Sequence, residues 1–289
     1  MADPGLARFS INQATTPAWS LPEAVEGYAR KGVGGIGVWR DKLAEAGTRA
    51  AARAIREAGL AVPSLCKSAS LTEADPARRR AAMDENRRAV DEAAEIGAGC
   101  LVMVCGGVGE DRNLPAARAR LENGLAELLP HALACGVALG LEPLHPAYCA
   151  DRSCLNTLAQ AIALCERLGE GTAIVADVYH TWWDPEFEAH LGHAGAGRIA
   201  SFHLNDWLVP TRDILLDRGM AGDGVIDLAA VRGTLDRIGY DGPFELEIFS
   251  RHWWARDPDE VVDIAIARCR PLVGARADGA VATPRSVPA

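Results

Sequence analysis

Short apolar runs alternate with longer helical patterns along most of the chain, and this alternation limits the folds that the chain can adopt. Helical patterns separate successive runs, at a repeat of roughly 25–45 residues, as in chains built from strand–helix units. Such alternation predicts a parallel sheet with helices packed outside it. The eight runs that predict buried strands are residues 7–12, 33–39, 60–66, 100–105, 137–141, 172–177, 198–203 and 243–249.

Eight strand–helix units favour an α/β fold, namely a closed (β/α)8 barrel of the TIM-barrel type in a single domain, for which about 250 residues is typical. The alternative, an open doubly wound sheet, has no Gly-x-Gly-x-x-Gly in its first strand–helix turn, because the glycine run at 32–37 lies before and within a strand. We expect the barrel to span residues 1–273. Residues 274–289 are rich in Ala, Gly and Pro and predict a disordered tail.

Composition limits the partners. The formal net charge of −9 disfavours duplex nucleic acid or a phospholipid surface as the main partner, because proteins that bind them usually carry a basic face. The N-terminus lacks a signal-peptide pattern and no apolar run reaches the roughly 18 residues of a membrane span, so we expect a cytoplasmic protein. The eight cysteines show no paired Cys-x-x-Cys motifs and are predicted to be reduced, mostly buried thiols.

The fifth predicted strand ends in an acid. Residues 136–146 read Gly-Val-Ala-Leu-Gly-Leu-Glu-Pro-Leu-His-Pro, so Pro143 and Pro146 stop the strand at or just after Glu142. An unpaired buried carboxylate is costly enough to threaten the stability of a domain. Glu142 is therefore expected to have a compensating partner, and a metal ion is one candidate.

Three further strand ends carry partners for Glu142, namely Asp177, His203 and Glu247. In a barrel these ends meet at the face where active sites lie. Clustered carboxylates repel each other unless a cation lies among them, and an oxygen-rich set with one imidazole suits Mn²⁺, Mg²⁺ or Zn²⁺. Singly, each residue has a structural alternative: a helix cap, a core histidine or a rim ion pair. Their occurrence together favours the metal site.

Other side chains near the strand ends are candidate substrate contacts. His180 either bonds a substrate oxygen or packs in an aromatic layer, and His145 either contacts substrate or bonds its own loop. Trp183 and its neighbour Trp182 either stack on a sugar or cover a loop.

The second and third strands end in Trp39-Arg40 and in Lys67. Trp39 is a candidate part of the substrate pocket. The two cations either bind a phosphate or carboxylate of the substrate or balance the acids of the rim.

Several of these residues lie in motifs that resemble the xylose isomerase-like superfamily, and within it the sugar phosphate isomerases and epimerases. The motifs are Leu-Glu142-Pro-Leu, Asp177-Val-Tyr-His180, Phe-His203-Leu-Asn205-Asp206, Gly222-Asp-Gly-Val-Ile-Asp227 and Glu245-Leu-Glu247-Ile-Phe-Ser. The resemblance implies that one divalent ion, Mn²⁺ first and otherwise Mg²⁺, Zn²⁺ or Co²⁺, is held by Glu142, Asp177, His203 and Glu247. It also implies that Glu142 and Glu247 form an acid/base pair and that His180 and Arg218 contact substrate oxygens.

The chemistry of such enzymes fits these residues. Isomerising or epimerising a ketose removes a proton next to a carbonyl, and the enediolate so formed needs a Lewis acid. Two carboxylates on opposite sides of the substrate can take and return the proton. We therefore expect a divalent-metal-dependent isomerase or epimerase of a small ketose or keto-polyol. Since such barrels often pair through the faces that cover their active sites, a homo-oligomer is one expected state.

Three alternatives use the same barrel. A lyase or dehydratase acting on a keto-sugar or inosose would employ the same metal site, and a non-catalytic sugar-binding barrel would keep only the binding function. Related DNA-repair endonucleases use three zinc ions, with extra His ligands at the ends of the third and fourth strands. This chain has Lys67 and Cys105-Gly-Gly107 at those places, which together with the net charge of −9 disfavours an endonuclease.

Overall fold

Eight parallel strands close into a barrel in the computed structural model, which describes residues 3–274. Each strand pairs with its neighbours in the chain, and the first pairs with the last, which closes the ring. The predicted single (β/α)8 barrel is therefore confirmed. The strands are β1 Phe9–Asn12, β2 Gly35–Trp39, β3 Val62–Cys66, β4 Ala98–Met103, β5 Ala138–Leu141, β6 Thr172–Asp177, β7 Ile199–Leu204 and β8 Phe244–Leu246.

Helices surround the barrel and link consecutive strands. They are α1 Leu21–Arg30, α2 Arg40–Ala46, α3 Thr48–Ala58, α4 Pro76–Ile96, α5 Leu114–Ala134, α6 Leu158–Leu168, α7 Val178–Thr181, α8 Phe187–Ala194, α9 Leu228–Arg237, α10 Arg251–Trp254 and α11 Pro258–Val273. Short 3₁₀ turns cover Pro4–Leu6, Gln13–Thr15, Pro146–Tyr148 and Ala196–Arg198.

Some element boundaries differ from the prediction. The helix expected over 41–58 is two helices, α2 and α3, because Gly47 has φ +80° and interrupts the helical backbone. Strand β4 begins and ends two residues earlier than expected. Strand β8 ends at Leu246 rather than at 249, because beyond it the N–H of Ile248 donates to the Thr15 hydroxyl instead of to a neighbouring strand.

The main apolar core lies between the barrel and its helices, whereas the barrel interior is polar near the carboxyl ends of the strands. There the buried carboxylate of Glu245 accepts hydrogen bonds from Asn12 and Ser64. A Cβ at Gly37 would overlap that carboxylate, so the absence of a side chain in β2 leaves room for it. The lumen therefore places an acid directly beneath the rim.

The segment after β7 forms a small antiparallel ribbon, in which Asp206–Trp207 pairs with Arg218–Gly219. The Asp206 carboxylate fixes the following loop by accepting hydrogen bonds from the N–H groups of Gly222, Gly224 and Ile226. The ribbon carries Arg218 over the carboxyl ends of the strands.

All eight cysteines are free thiols and six are buried, as predicted. Within residues 3–274, no helix combines the length and apolar character that crossing a bilayer requires. The predicted disordered tail lies, apart from Gly274, outside the described residues. The cytoplasmic location and the homo-oligomeric state stay predictions.

Candidate metal and substrate site

Four side chains predicted as metal ligands meet at the carboxyl ends of β5 to β8. One donor atom from each of Glu142, Asp177, His203 and Glu247 lies within 4.8 Å of the others, and all four residues are buried. Asp177 also caps α7, with Oδ1 accepting from the N–H of Tyr179. The capping role that the sequence left open is thus compatible with a place in the cluster.

The imidazole of His203 indicates that the cluster fits a cation. Both ring nitrogens are buried, and neither has a hydrogen-bond partner within residues 3–274. Nδ1 lies 3.6 Å from Glu142 Oε1 and 3.9 Å from Glu247 Oε2. These gaps are too long for hydrogen bonds, but two ligands that each lie about 2.1 Å from one small cation are separated by roughly 3–4 Å. A divalent ion would satisfy the orphaned nitrogen and separate the carboxylates.

The carboxylate of Glu245 lies on the opposite side of the His203 ring from the cluster. Glu245 Oε1 lies 3.7 Å from Nε2, and the same acid accepts hydrogen bonds from Asn12 Nδ2 at 2.6 Å and from Ser64 Oγ at 2.9 Å. Trp39 extends this network, because its indole N–H donates to Asn12 Oδ1 at 2.6 Å. Carboxylates in this position commonly orient a metal-ligating histidine.

Arg218 is the cation that the fold itself supplies. Its Nη1 donates to Asp177 Oδ2 at 3.0 Å and to Glu247 Oε2 at 2.9 Å, and Nη2 lies 3.3 Å from His180 Nε2. The guanidinium lies between the rings of Tyr179 and Phe249, at 4.6 and 4.9 Å. Since this one guanidinium is near three buried carboxylates, Asp177, Glu247 and Glu142, it leaves most of their charge uncompensated.

The acid–base properties reflect this crowding. Burial and the neighbouring Glu247 raise the pKa of Glu142 to about 8, and burial also raises the pKa of Glu247. Burial alone would raise the pKa of Asp177, but Arg218, His180 and His203 together hold it below the ordinary value. Burial alone would lower the pKa of His203, but the surrounding carboxylates raise it. Burial lowers the pKa of His180 to about 3, so this ring is neutral near pH 7.

A cavity lies directly over the cluster. Of the predicted substrate contacts, Trp39, Lys67, His180 and Arg218 line it together with Glu142 and Glu247. Tyr148, Arg152, Leu215 and Phe249 also line it, and the sequence analysis did not single them out. They lie in irregular loops or after a strand end, where no local pattern marks a side chain as inward-facing.

His145 and Trp183 lie outside the wall of this cavity. The His145 ring stacks on Trp207 at 5.1 Å, and its Nδ1 accepts from the N–H of Ala147, which is the loop role left open above. The Trp183 indole donates to the carbonyl of His180. Both residues pack against loops around the site, outside the cavity wall. Their predicted contacts with substrate stay predictions.

The two cations that end β2 and β3 have separate surroundings. Arg40 forms ion pairs with Glu85 and Glu92 of α4, both at 2.6 Å. Its role is therefore to join helices. Lys67 faces the cavity instead.

Comparison with known proteins identifies the family. The family model for the xylose isomerase-like TIM barrel matches residues 25–272, which is most of the chain. The chain belongs to the xylose isomerase-like TIM-barrel family. The family predicted from the motifs is therefore confirmed.

Individual relatives and solved structures resemble the chain over most of its length. L-ribulose-5-phosphate 3-epimerase UlaE of Salmonella paratyphi C is 27% identical over 203 residues, which cover 68% of each chain. The crystal structure of protein SMc04130 from Sinorhizobium meliloti 1021 is 46% identical, with a TM-score of 0.90 over 93% of this chain and 99% of that one. The IOLI protein, solved with a zinc atom, has a TM-score of 0.80 at 21% identity over 92% and 98% of the two chains, which is a likeness of fold.

Proposed function

We propose that this chain is a divalent-metal-dependent isomerase or epimerase of a small ketose or keto-polyol, with Mn²⁺ as the first expected metal. The observation that carries the proposal is the buried cluster of Glu142, Asp177, His203 and Glu247 around an imidazole without hydrogen-bond partners. The name of the UlaE relatives, which are sugar phosphate 3-epimerases, supports the reaction class.

The metal, when bound, would act as a Lewis acid on the carbonyl and hydroxyl oxygens of the substrate and so acidify the adjacent C–H. Glu142 and Glu247 then serve as the acid/base pair. Two strands, β6 and β7, separate β5 from β8 in the ring, so the two carboxylates approach the cavity from different sides. One takes the proton from carbon and the other returns it, from the opposite face in an epimerisation.

Two further side chains assist this pair. Arg218 donates to Glu247 Oε2 and so fixes the orientation of that carboxylate toward the cavity. His180 is neutral because burial lowers its pKa to about 3, and its Nδ1 has no hydrogen-bond partner. A neutral imidazole can donate a hydrogen bond to a substrate hydroxyl without adding charge to the site.

The loop over residues 211–217 covers the cavity. Its Ile214 carbonyl accepts hydrogen bonds from Tyr148 at 2.6 Å and Tyr179 at 3.0 Å, and Leu215 lines the cavity. Excluding water in this way strengthens the electrostatic interactions inside and protects a carbanion from premature protonation.

Metal analysis and deuterium exchange test the proposal. The protein is purified, its metal content measured, and the Mn²⁺-loaded form incubated with ketoses in D₂O. Deuterium at the carbon next to the carbonyl, with the carbon skeleton and hydroxyl groups retained, is the expected result. Glu142→Gln and Glu247→Gln should each abolish exchange, and Glu57→Gln on the exposed face of α3 should not.

Other outcomes separate the alternatives. A dehydrated or unsaturated product would identify a lyase. Binding of ketoses without exchange would identify a sugar-binding barrel. Exchange that survives Glu247→Gln would contradict the assignment of the acid/base pair.

A further inference from the structure

A second cavity adjoins the one over the cluster. Its volume is about 660 Å³, within the range of small-molecule sites, whereas the space over the cluster is about 30 Å³ and holds only one or two water molecules. The two cavities share three lining residues, which form a neck between them: Lys67, Val104 and Arg152. If the reacting carbons lie over the cluster, the rest of the substrate passes this neck.

The two cations of the neck have no anionic partner of their own. Within residues 3–274, neither Lys67 nor Arg152 forms a side-chain hydrogen bond or an ion pair. The guanidinium of Arg152 lies over the ring of Tyr148 at 5.3 Å, which sets its position without neutralising its charge. The chain has a net charge of −9 and pairs most of its other buried or half-buried cations, so two unpaired ones side by side need a reason.

The two charges act on each other. Burial and then the charge of Arg152 lower the pKa of Lys67, and both side chains line the same neck. Glu142, the carboxylate that acts in the opposite direction on Lys67, is itself a proposed metal ligand. Two like charges held together in this way are relieved by an anion that binds between them.

The second cavity suits a polar group beyond the neck. Ser68, Ser70 and Thr72 contribute hydroxyls. Gly106 and Gly107 keep the wall open, and a Cβ at Gly106 would overlap the hydroxyls of Ser70 and Thr72. Glu73, Glu110 and Asp151 also line this cavity, but none of them lines the cavity over the cluster, so the neck itself carries only positive charge apart from the cluster.

We propose that Lys67 and Arg152 form a subsite for a negatively charged group, a phosphate or a carboxylate, at the end of the substrate remote from the reacting carbons. This subsite rests on the proposed function, because it assumes that the reacting end lies over the cluster. An arginine fork and a lysine ammonium together offer charge-assisted hydrogen bonds to either anion. The substrate class is thus an anionic ketose rather than a neutral one.

Matched substrates test the subsite. In the Mn²⁺-loaded protein, kcat/KM for deuterium exchange is compared between a pentulose and its 5-phosphate, and between a ketohexose and the corresponding keto-uronate. At least one anion should exceed its neutral parent by about tenfold or more, since hydrogen bonds to charged groups contribute about 1.5–3 kcal/mol. A preference for the pentulose 5-phosphate would indicate a phosphate subsite, and a preference for the keto-uronate would indicate a carboxylate subsite.

Variants assign the preference to the neck. Lys67→Gln and Arg152→Gln should each reduce the ratio of anionic to neutral kcat/KM by about tenfold. Lys42→Gln, on α2 and outside both cavities, should leave the ratio within about twofold, as for a surface charge. Equal use of anionic and neutral substrates by the wild type, or a ratio that survives both neck substitutions, would overturn the subsite.

A binding measurement separates failure of the subsite from failure of the proposed function. Sulfate is titrated calorimetrically into the metal-loaded wild type and variants, and metal content is measured in each to detect misfolding. If no ketose exchanges deuterium, the proposed function fails. The subsite is still supported in that case if sulfate binds the wild type and binds Lys67→Gln and Arg152→Gln about tenfold more weakly. Sulfate that does not bind, or binds all variants equally, refutes it.

Discussion

Replacing Glu142 by Gln should have opposite effects on the metal-free and the metal-loaded protein. In the metal-free protein Glu142 is a buried acid whose pKa is raised from 4.5 to about 8, first by burial and then by Glu247. Keeping it ionised in the folded state costs on the order of 5 kcal/mol, at 1.36 kcal/mol for each tenfold change in proton affinity. If the proposed function is right, the same charge would hold the ion in the metal-loaded protein.

The sign of the pH dependence follows from the direction of this change. Because the folded protein binds the Glu142 proton more tightly than the unfolded chain, the contribution of Glu142 to the stability of the metal-free protein falls as pH rises from about 4.5 to about 8 and changes little beyond. The amide introduced by Glu142→Gln has no proton to lose in this range. The metal-free variant should therefore match the wild type near pH 4.5 and exceed it near pH 8.5, by on the order of 10 °C in Tm for a chain of this length.

Adding Mn²⁺ reverses the order. The wild type should gain about 6.8 kcal/mol at a metal concentration 100,000 times its Kd, which exceeds the roughly 5 kcal/mol that the ionised Glu142 costs, and the variant should gain much less. The assay is thermal unfolding at one scan rate, with EDTA-treated and Mn²⁺-loaded samples from pH 4.5 to 8.5 and Glu57→Gln as the matched control. The reasoning is refuted if metal-free Glu142→Gln is no more stable at pH 8.5, or if Mn²⁺ stabilises it as much as the wild type.

Three further substitutions probe the support of the site. Glu245→Gln keeps a hydrogen-bond acceptor but removes the charge behind His203. It should weaken Mn²⁺ binding by about 10–100-fold in equilibrium dialysis. An unchanged affinity would show that Glu245 does not orient His203 for the metal. Tyr148→Phe removes a hydrogen bond to the Ile214 carbonyl, which contributes about 1 kcal/mol, and should speed proteolysis of the loop over residues 211–217 by roughly fivefold. An unaltered cleavage rate would contradict the role of this hydrogen bond in holding the loop over the cavity. Gly37→Ala inserts a Cβ against the Glu245 carboxylate and should cost about 1–3 kcal/mol of unfolding free energy in urea. Gly192→Ala, in helix α8 with open space around it, should not destabilise and should gain up to about 1 kcal/mol.

Much of the barrel follows from patterns that are local in the chain. Each strand is a short apolar run and several helices begin at a side-chain cap, such as Asp75 before Pro76, so neighbouring residues suffice to predict many of these elements. The clustering of the four predicted metal ligands also follows, because parallel strands of one barrel bring their carboxyl ends to one face. Glu142, Asp177, His203 and Glu247 each lie at or just beyond such an end.

Tertiary structure decided what lies around those ligands. Arg218 is 41 residues from Asp177 in the chain, and only the ribbon brings its guanidinium to that carboxylate. Glu245 lies in the middle of a strand, and its inward orientation depends on the register of β8 and on the space left at Gly37. The direction of a loop or mid-strand side chain is fixed by contacts distant in sequence, and no local periodicity encodes those contacts.

The loop residues show most clearly which features the sequence determines and which depend on tertiary structure. His145 and Trp183 lie four and six residues after the ends of β5 and β6, yet their rings contact Trp207 and the His180 carbonyl outside the cavity wall. Arg152, which no sequence pattern marks, faces Lys67 at the neck. The sequence by itself determined the barrel and the clustering of the four predicted ligands, since both arise from strand periodicity. The shape and charge of the space for the substrate arise where separate loops pack together, and only the folded chain defines them.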